Sequence, residues 1–130
     1  MDYVTLASFR AALRKFLRAS EQIAEGFSIT PQQHQMLLVI RGFDGEREPT
    51  IGELATRLQV RHNSAVGLIN RLSALGLVRR IADKQDRRQV HIVLTAKGHA
   101  MLDKLTSAHR SELKVIAPEI HKLLNILNHD

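Results

Sequence analysis

The sequence predicts a mainly α-helical domain of the α+β class, in which helices surround one small β-hairpin. The chain has 130 residues and is 44% apolar, which suits a single hydrophobic core. Most apolar residues recur at the three- and four-residue spacing of amphipathic helices. Only two short runs, 78–81 and 90–94, are rich in the branched residues that are typical of strands. We therefore expect one domain over residues 1–130.

Helical spacing and start signals predict two helices in the first third of the chain. Residues 4–27 place apolar side chains mainly on one face and basic side chains largely on the other. Thr30 then precedes a proline, and Gln33 stands at the position from which a capping-box side chain can reach back. The second helix is expected to end near Gly42, before a polar loop over 43–49.

A second capping box, formed by Thr50 and Glu53, opens a short helix with a buried apolar face. Residues 59–61 are a tight connection, and residues 62–75 form a longer helix whose inward face includes Leu75. Gly76 follows directly, as a left-handed helix end requires. The stretch from 51 to 75 therefore has the proportions of a short helix, a turn and a longer helix.

The end of the chain is also predicted to be helical. Thr95 caps a long helix running towards Leu113, and Pro118 marks either a break or the first turn of a last helix. This gives four helices, a hairpin and two more helices. The terminal helices carry apolar stripes that something must cover, which predicts a homodimer. The stripe residues are Leu6, Leu13, Leu17, Leu113, Ile116, Ile120, Leu123, Leu124 and Leu127.

The net charge of the chain is concentrated in residues 57–91. This segment holds eight Lys or Arg and two Asp, so it carries the whole formal charge of +6, and the remaining residues balance to zero. A basic segment inside an otherwise neutral protein favours a local, densely anionic partner. The same segment is predicted to fold as helix, turn, helix and hairpin.

These proportions are typical of a helix-turn-helix, in which the second helix enters the major groove of double-stranded DNA. Asn can pair with adenine and Arg with guanine at the edges of the bases. The positions expected to face outward are Arg61, His62, Asn63, Ser64, Val66, Gly67, Asn70, Arg71 and Ala74. Of these, we expect DNA contacts from Arg61, His62, Asn63, Ser64, Asn70 and Arg71. The alternative is a helical hairpin whose polar face is only solvated.

The hairpin favours the DNA-binding interpretation. Lys84, Arg87 and Arg88 lie at its tip, as expected for a wing that follows the phosphate backbone and inserts an arginine into the minor groove. Arg79 is expected to raise affinity for all sequences alike. Asp83 and Asp86 are interpreted as structural, either holding an arginine at a fixed angle or accepting from loop amides. The alternative is an ordinary charged turn.

The residues resemble the MarR family of transcriptional regulators over nearly the whole chain. The resemblance is strongest in 83–88 followed by Leu94 and Thr95, and in 70–72 together with 75–80. It implies a winged helix-turn-helix over 30–94, with dimerisation helices at 1–29 and 95–130. It also implies homodimers that bind palindromic operators and commonly repress. The family's wing arginines fall on Arg87 and Arg88, and its supporting carboxylate on Asp86.

Two positions depart from the family pattern. The residue before the recognition helix is Arg61, where Ser, Thr or Asp is usual, so capping passes to Asn63 or Arg61 contacts phosphate. Gly67 stands where many members carry a polar or basic side chain. Both departures leave the operator sequence unspecified. The chain has no cysteine, which excludes the mechanism of peroxide-sensing members.

The resemblance further implies a cleft between the dimerisation helices and the winged part that binds a small aromatic or anionic effector. The residues proposed to line it are Phe9, Phe16, Phe27, Ser28 and His34. Core packing is the alternative for each Phe. For His34 the alternative, and the preferred interpretation, is a histidine on the helix surface.

Several classes are excluded or disfavoured by composition. Without cysteine there are no disulfides and no cysteine-bound zinc, and the seven histidines are scattered without ligand spacing, so we expect no metal and no cofactor. No nucleophile–base arrangement or phosphate loop indicates an enzyme. The N-terminus has no leader pattern and the longest apolar runs are too short for a span, so we expect a cytoplasmic protein without a membrane partner.

The leading hypothesis is a dimeric, operator-binding repressor that a small molecule releases from DNA. An activator or antagonist of silencing with the same fold remains an alternative, because both would use the same contacts. A winged-helix module that binds proteins and has lost DNA binding is a second alternative.

Overall fold

A computed structural model describes residues 2–129 of the chain; Met1 and Asp130, the ends of the predicted domain, lie outside the described residues. The predicted fold class is confirmed, because the molecule is mainly helical with one two-stranded antiparallel sheet. The elements are α1 (Tyr3–Gly26), α2 (Pro31–Arg41), α3 (Ile51–Leu58), α4 (His62–Ala74), β1 (Val78–Ala82), β2 (Val90–Leu94) and α5 (Ala96–Asn128).

The chain divides into two compact units. We call residues 2–28 with 105–129 the terminal unit, and Ile29–Lys104 the winged unit. The winged unit packs α2, α3 and α4 against one another and against the hairpin. Its fully buried side chains include Met36, Leu37, Leu54, Ile69, Leu72, Leu77 and Ile92. This core gives the unit a rigid frame for its surface side chains.

The predicted helix starts of the winged unit are confirmed. The Thr30 hydroxyl accepts from the Gln33 amide at 3.1 Å, and the Gln33 side chain accepts from the Thr30 amide at 2.9 Å. Thr50 and Glu53 form the second capping box in the same way. Each box satisfies amides that the first turn of a helix leaves without partners.

The end of α4 is held by the predicted left-handed glycine. Gly76 has a φ of 75°, and the Leu77 amide donates back to the Leu72 carbonyl at 2.9 Å. Leu75 is the C-cap residue and its side chain is 41% exposed, so the prediction that it faces inward is wrong. The chain has already begun to leave the helix at this point, and the turn directs Leu77 into the core instead.

The hairpin pairs Val78 with Leu94 at its base and Ala82 with Val90 at its open end, one residue farther than the predicted strand. A third segment joins the other edge of β2, where the Ile92 amide donates to the Pro49 carbonyl at 2.8 Å. The loop before α3 is therefore tied directly to the hairpin.

The last helix is continuous through Pro118, so the structure has five helices and the predicted break is wrong. Proline removes one backbone hydrogen bond and crowds the carbonyl four residues earlier. Both Pro118 and Lys114 are exposed, so water can satisfy the carbonyl that loses its partner. No helix within residues 2–129 is both long enough and apolar enough to cross a membrane.

In the terminal unit, α1 and α5 contact each other through a part-buried polar pair and a ring contact. The Ser20 hydroxyl and His109 Nε2 lie 2.8 Å apart, and the Phe16 and His109 rings are 6.5 Å apart. Much of the apolar surface of this unit remains exposed. The exposed residues are Tyr3, Val4, Leu17, Leu113, Val115, Ile120, Leu124 and Leu127. Ile116, predicted to face a partner subunit, is only 5% exposed and belongs to the protomer's own core.

Candidate nucleic-acid interface

The two faces of α4 differ sharply in chemistry. Its inner face buries Ala65, Leu68, Ile69 and Leu72, which fix the helix on the core. Its outer face is mainly polar and basic. Of the positions predicted to face outward, Val66 and Gly67 are half-buried, whereas every residue predicted to contact DNA is exposed. These residues are Arg61, His62, Asn63, Ser64, Asn70 and Arg71. The helix can therefore present side chains to a groove without disturbing its packing.

The first turn of α4 has no side-chain cap. Arg61 occupies the N-cap position with extended backbone, and its side chain makes no capping hydrogen bond. The amides of this turn consequently remain available to solvent or to an anion, and the helix dipole favours negative charge at this end. With Arg61 in place of the family's usual capping residue, the helix lacks a side-chain capping hydrogen bond and has a positive charge at its exposed start.

Gly67 leaves room for the side chain that follows it one turn later. A Cβ atom added at Gly67 would lie 3.6 Å from Nη1 of Arg71, so the guanidinium lies along the helix surface next to the glycine. Both residues belong to α4. Gly67, the second departure from the family pattern, therefore contributes no side chain to this surface and instead leaves the charge of Arg71 accessible.

Asn70 is held by an arginine from the hairpin. Arg80 Nη2 donates to Asn70 Oδ1 at 2.6 Å, and both residues are exposed. Reading adenine through two hydrogen bonds needs both the oxygen and the nitrogen of an asparagine amide. Arg80 occupies one of the two acceptor positions of the Asn70 oxygen and restrains the amide, so the geometry favours Asn63 over Asn70 for such a contact.

The wing tip is a tight turn built around Asp83. The Asp83 carboxylate accepts from the amides of Gln85 at 3.0 Å and Asp86 at 2.8 Å, while the Gln89 amide donates to the Asp86 carbonyl. The Asp86 amide, the His91 ring and the Gln85 amide hold the pKa of Asp83 below its usual value. Asp83 thus has the structural role of accepting from loop amides.

Asp86 has the other predicted role, because it holds an arginine. Its Oδ1 accepts from Arg88 Nε at 3.0 Å and from the Arg88 amide at 3.1 Å, and its Oδ2 accepts from Nη2 at 3.3 Å. The Arg88 side chain is nevertheless 91% exposed. The hydrogen bonds from Arg88 lower the pKa of Asp86. The pair therefore presents an oriented guanidinium, with Lys84 and Arg87 exposed beside it.

The structure identifies one residue that the sequence analysis did not single out. His91, on β2, is buried; its Nδ1 lies 2.9 Å from the Glu48 carbonyl oxygen and its Nε2 lies 2.9 Å from Asp83 Oδ1. The sequence feature that could have identified it is a polar residue inside the apolar run Val90–Leu94, which follows a loop that contains carboxylates. Such a residue must find partners when it is buried.

The residues predicted to line an effector cleft are distributed over both units. Phe9, Phe16 and Phe27 are half-buried in the terminal unit, and Ser28 is exposed with a φ of 61°. His34 lies on α2 and is only 6% exposed, so its interpretation as a surface histidine is wrong. It packs inward from the same turn that carries Gln33.

The winged unit contains a cavity that includes none of those five residues. It has a volume of about 320 Å³ and lies beside the end of α2, the 43–49 loop and β2. Its lining residues are Ile40, Phe43, 45–49, Ile92 and Val93. Apolar side chains and charged loop residues therefore meet there.

Neither metal-binding nor catalytic geometry emerges from the described residues. Between residues 2 and 129 no group of three or more His, Cys, Asp or Glu could hold a metal ion. The contact between Ser20 and His109 is a serine–histidine pair that sequence inspection did not reveal. However, His109 Nδ1 lies 2.8 Å from the Leu105 carbonyl oxygen rather than from a carboxylate. The pair links α1 to α5 in the interior of the terminal unit.

Together, α3, α4 and the hairpin define a winged helix-turn-helix. The family model described as MarR family matches residues 27–89, which include α2, α3, α4, β1 and the whole loop between β1 and β2. The chain belongs to the MarR family, as the resemblance of its motifs indicated.

Similar proteins of known name agree with this assignment. The chain is 35% identical over 95 residues to the HTH-type transcriptional regulator TtmR of Methylorubrum extorquens, covering 73% of this chain and 47% of TtmR. It is 31% identical over 81 residues to the HTH-type transcriptional repressor YetL of Bacillus subtilis, covering 62% and 47% of the two chains. The chain thus spans about half the length of these relatives.

A solved structure of a mutant E. coli MarR in complex with operator DNA superposes with a TM-score of 0.70 and is 25% identical. The superposition covers 92% of this chain and 88% of that one. The similarity therefore extends beyond the region that the family model matches.

Proposed function

We propose that this chain is a sequence-specific, DNA-binding transcriptional regulator that acts as a homodimer on a palindromic operator. The observation that carries the proposal is the exposed basic surface of one compact unit, where residues 57–91, which include α4 and the wing, hold the whole net charge of +6. Double-stranded DNA is the polyanion whose groove admits such a helix. We also propose a cytoplasmic location, because a regulator of this kind works where the chromosome lies.

The recognition helix contributes the choice of sequence. Asn63 and Ser64 stand in its exposed first turn, where side chains of such helices meet base edges. Arg61, His62 and Arg71 flank them and are suited to phosphates or to guanine. Replacing Asn63 by Ala is expected to relax preference at particular base pairs, measured by in vitro selection of bound duplexes.

The wing contributes affinity. Arg88 projects into solvent while Asp86 fixes its orientation, which reduces the entropy that a flexible arginine loses on binding. Arg87 and Lys84 add two further positive charges at the tip, and Arg79 adds one on β1. These charges are expected to contact backbone phosphates or a narrow minor groove.

The terminal unit contributes the twofold partner. Its exposed leucines and isoleucines on α1 and α5 form the kind of apolar surface that monomers rarely leave open. A second copy of the same surface covers it with matching chemistry. The dimer would read two half-sites centred about 10 base pairs apart.

We propose repression as the mode of action, supported by the name of the repressor YetL, and release from DNA by a small aromatic or anionic effector. A ligand releases DNA only if it binds the DNA-free state more tightly. Thermal melting and DNA release with a panel of aromatic acids test this part. A panel that changes neither would favour regulation without an effector.

The central experiment compares two arginines with equal charge. Duplexes selected by the wild-type protein are titrated with wild type, Arg88→Ala and Arg110→Ala, with binding followed by fluorescence anisotropy. Arg110 is exposed on α5, outside the basic segment. Arg88→Ala should weaken specific binding by roughly 10- to 100-fold, or about 1–3 kcal/mol. Arg110→Ala should stay close to wild type.

The outcomes separate the hypotheses. Equal DNA affinities of the two variants would contradict a role of the wing in the DNA interface. A wild-type protein that binds neither selected nor random duplexes would favour the alternative of a winged-helix module that binds proteins. Binding that does not weaken steeply with salt would also contradict a phosphate-contacting surface.

A further inference from the structure

Both ring nitrogens of His91 face atoms that can only accept hydrogen bonds. The Glu48 carbonyl oxygen lies 2.9 Å from Nδ1, so this nitrogen must carry a hydrogen in any state that keeps the contact. Asp83 Oδ1 lies 2.9 Å from Nε2. A neutral imidazole has only one N–H, whereas an imidazolium has two.

The proton of the second contact cannot come from Asp83. The Asp86 amide, His91 and the Gln85 amide together hold the pKa of Asp83 below its usual value, so its carboxylate is ionised near neutral pH. An ionised carboxylate has no hydrogen to donate. Only the charged form of His91 therefore makes both observed contacts.

Charged groups also approach His91 from the wing loop and from α3. Asp83 faces it from the wing loop, and Glu53 on α3 lies close enough to interact with it electrostatically. Glu53 is paired at 3.6 Å with Arg47, the basic group on this side. The hairpin neighbour of His91 across β1 is the apolar Ile81.

A continuous chain of hydrogen bonds leads from His91 to the wing tip. His91 holds one oxygen of Asp83, whose other oxygen accepts from the Gln85 and Asp86 amides. The Asp86 carboxylate then orients Arg88. The 43–49 loop anchors the opposite end of this chain through Glu48.

We propose that protonated His91 is a positioning residue for the wing, and that DNA binding weakens as His91 loses its proton towards alkaline pH. The effect on DNA rests on the proposed function, but the change in the wing does not. After deprotonation the Nε2 lone pair faces the Asp83 carboxylate, so this contact becomes repulsive and Asp83 holds the turn less firmly.

The first test needs no DNA. Nuclear magnetic resonance follows the His91 ring and the exchange of the Gln85 and Asp86 amides between about pH 5.5 and pH 8.5, where histidines titrate. Exchange is corrected for its intrinsic dependence on pH. As the pH rises, protection from exchange at both amides should fall roughly tenfold. The midpoint of this fall should coincide with the midpoint of the change in the His91 ring signals. Protection that is constant while the His91 ring titrates would overturn the proposal.

The second test reads the wing through DNA affinity, using three variants. His91→Gln cannot gain a proton, so its affinity should be lower at pH 6 and should vary less with pH. Asp83→Asn should also flatten the profile, because the introduced amide can donate to neutral His91 while its oxygen still accepts from the wing amides. His121→Gln removes an exposed histidine of α5 and is the matched control.

Between pH 6 and pH 8.5, wild type and His121→Gln should lose roughly five- to tenfold more affinity than His91→Gln. Other histidines near DNA, such as His62, contribute equally to all four profiles and cancel in this comparison. Equal pH profiles for wild type and His91→Gln would overturn the proposal. If wild type binds no duplex, the proposed function fails, and the amide-exchange test still decides the role of His91.

Discussion

The winged unit and the terminal unit differ in what they leave exposed. The winged unit buries Met36, Leu54, Ile69 and Ile92 almost completely, and its exposed surface on α4 and the wing is charged. The terminal unit buries Ala24, Leu105 and Ile116 but leaves many larger apolar side chains open, and its charges are not concentrated in one segment. One unit closes its own core, whereas the other leaves an apolar surface that we expect a second copy to cover.

This difference means that two kinds of interaction energy, electrostatic and hydrophobic, are assigned to different parts of one small protein. A closed core holds exposed arginines at fixed positions, which suits binding of an anion through charge. An open apolar surface gains free energy mainly when another apolar surface removes it from water. We therefore expect substitutions in the two units to have distinct signatures, one in folding or DNA affinity and the other in assembly.

The largest expected effect is on assembly. Leu124→Glu places a charge on a side chain that is 52% exposed in one protomer and that we expect a second copy to cover. Burying this charge without a partner should weaken the dimer by roughly 3–5 kcal/mol. Sedimentation equilibrium measures the effect, and Asn125→Glu adds the same charge at the adjacent exposed position as control. Equal dimer strength in both variants would contradict the proposed interface.

The next effect should break the winged unit itself. A Cβ atom added at Gly98 would lie 2.0 Å from the Leu77 carbonyl oxygen, so Gly98→Ala forces the backbone apart. We expect a loss of about 2–3 kcal/mol in the free energy of unfolding, measured by urea denaturation. Gly26→Ala is the control, because its new Cβ meets nothing within 4 Å. Unchanged stability of Gly98→Ala would show that α5 does not approach β1 so closely.

A smaller effect tests how α4 and the hairpin cooperate. Arg80 and Asn70 share a hydrogen bond of 2.6 Å, so we expect their effects on DNA affinity to be coupled by about 1 kcal/mol. A double-mutant cycle with Asn70→Ala and Arg80→Ala measures this coupling. Additive effects on DNA affinity, together with an altered base preference in Asn70→Ala but not in Arg80→Ala, would instead indicate that Asn70 contacts a base directly.

The smallest expected effect is a loss of stability of the wing that appears only at acidic pH. The pKa values of Asp83 and Asp86 are lowered in the folded wing, for Asp83 first by the Asp86 amide and for Asp86 first by Arg88. Their stabilisation is therefore present above the unfolded value of about 3.9 and is lost as pH falls through the lower folded values.

Amide exchange at the wing should accordingly show no loss of protection from these two groups between about pH 5 and pH 6, and increasing loss below about pH 4. Asp86→Asn should reduce the loss that depends on Asp86. A wing that loosens already near pH 5 would contradict lowered pKa values.

Several features of this protein were determined by the sequence alone, because they depend on neighbours within one helical turn. Capping at Thr30 and Thr50 uses residues three positions apart, and Gly76 is needed locally where the backbone turns left-handed. The basic segment is likewise visible without coordinates, because charge can be counted along the chain. The contact of Asp86 with Arg88, two residues later, follows the same logic.

Only the tertiary structure decided which distant polar groups meet. His91 finds Glu48 and Asp83, and Arg80 takes the oxygen of Asn70; Ser20 meets His109 across 89 positions of sequence. His34 is buried and α5 continues through Pro118, although local signals favoured the opposite. The partner of a buried polar group, and the cost of a lost backbone bond, depend on which elements pack around it and on where water can reach.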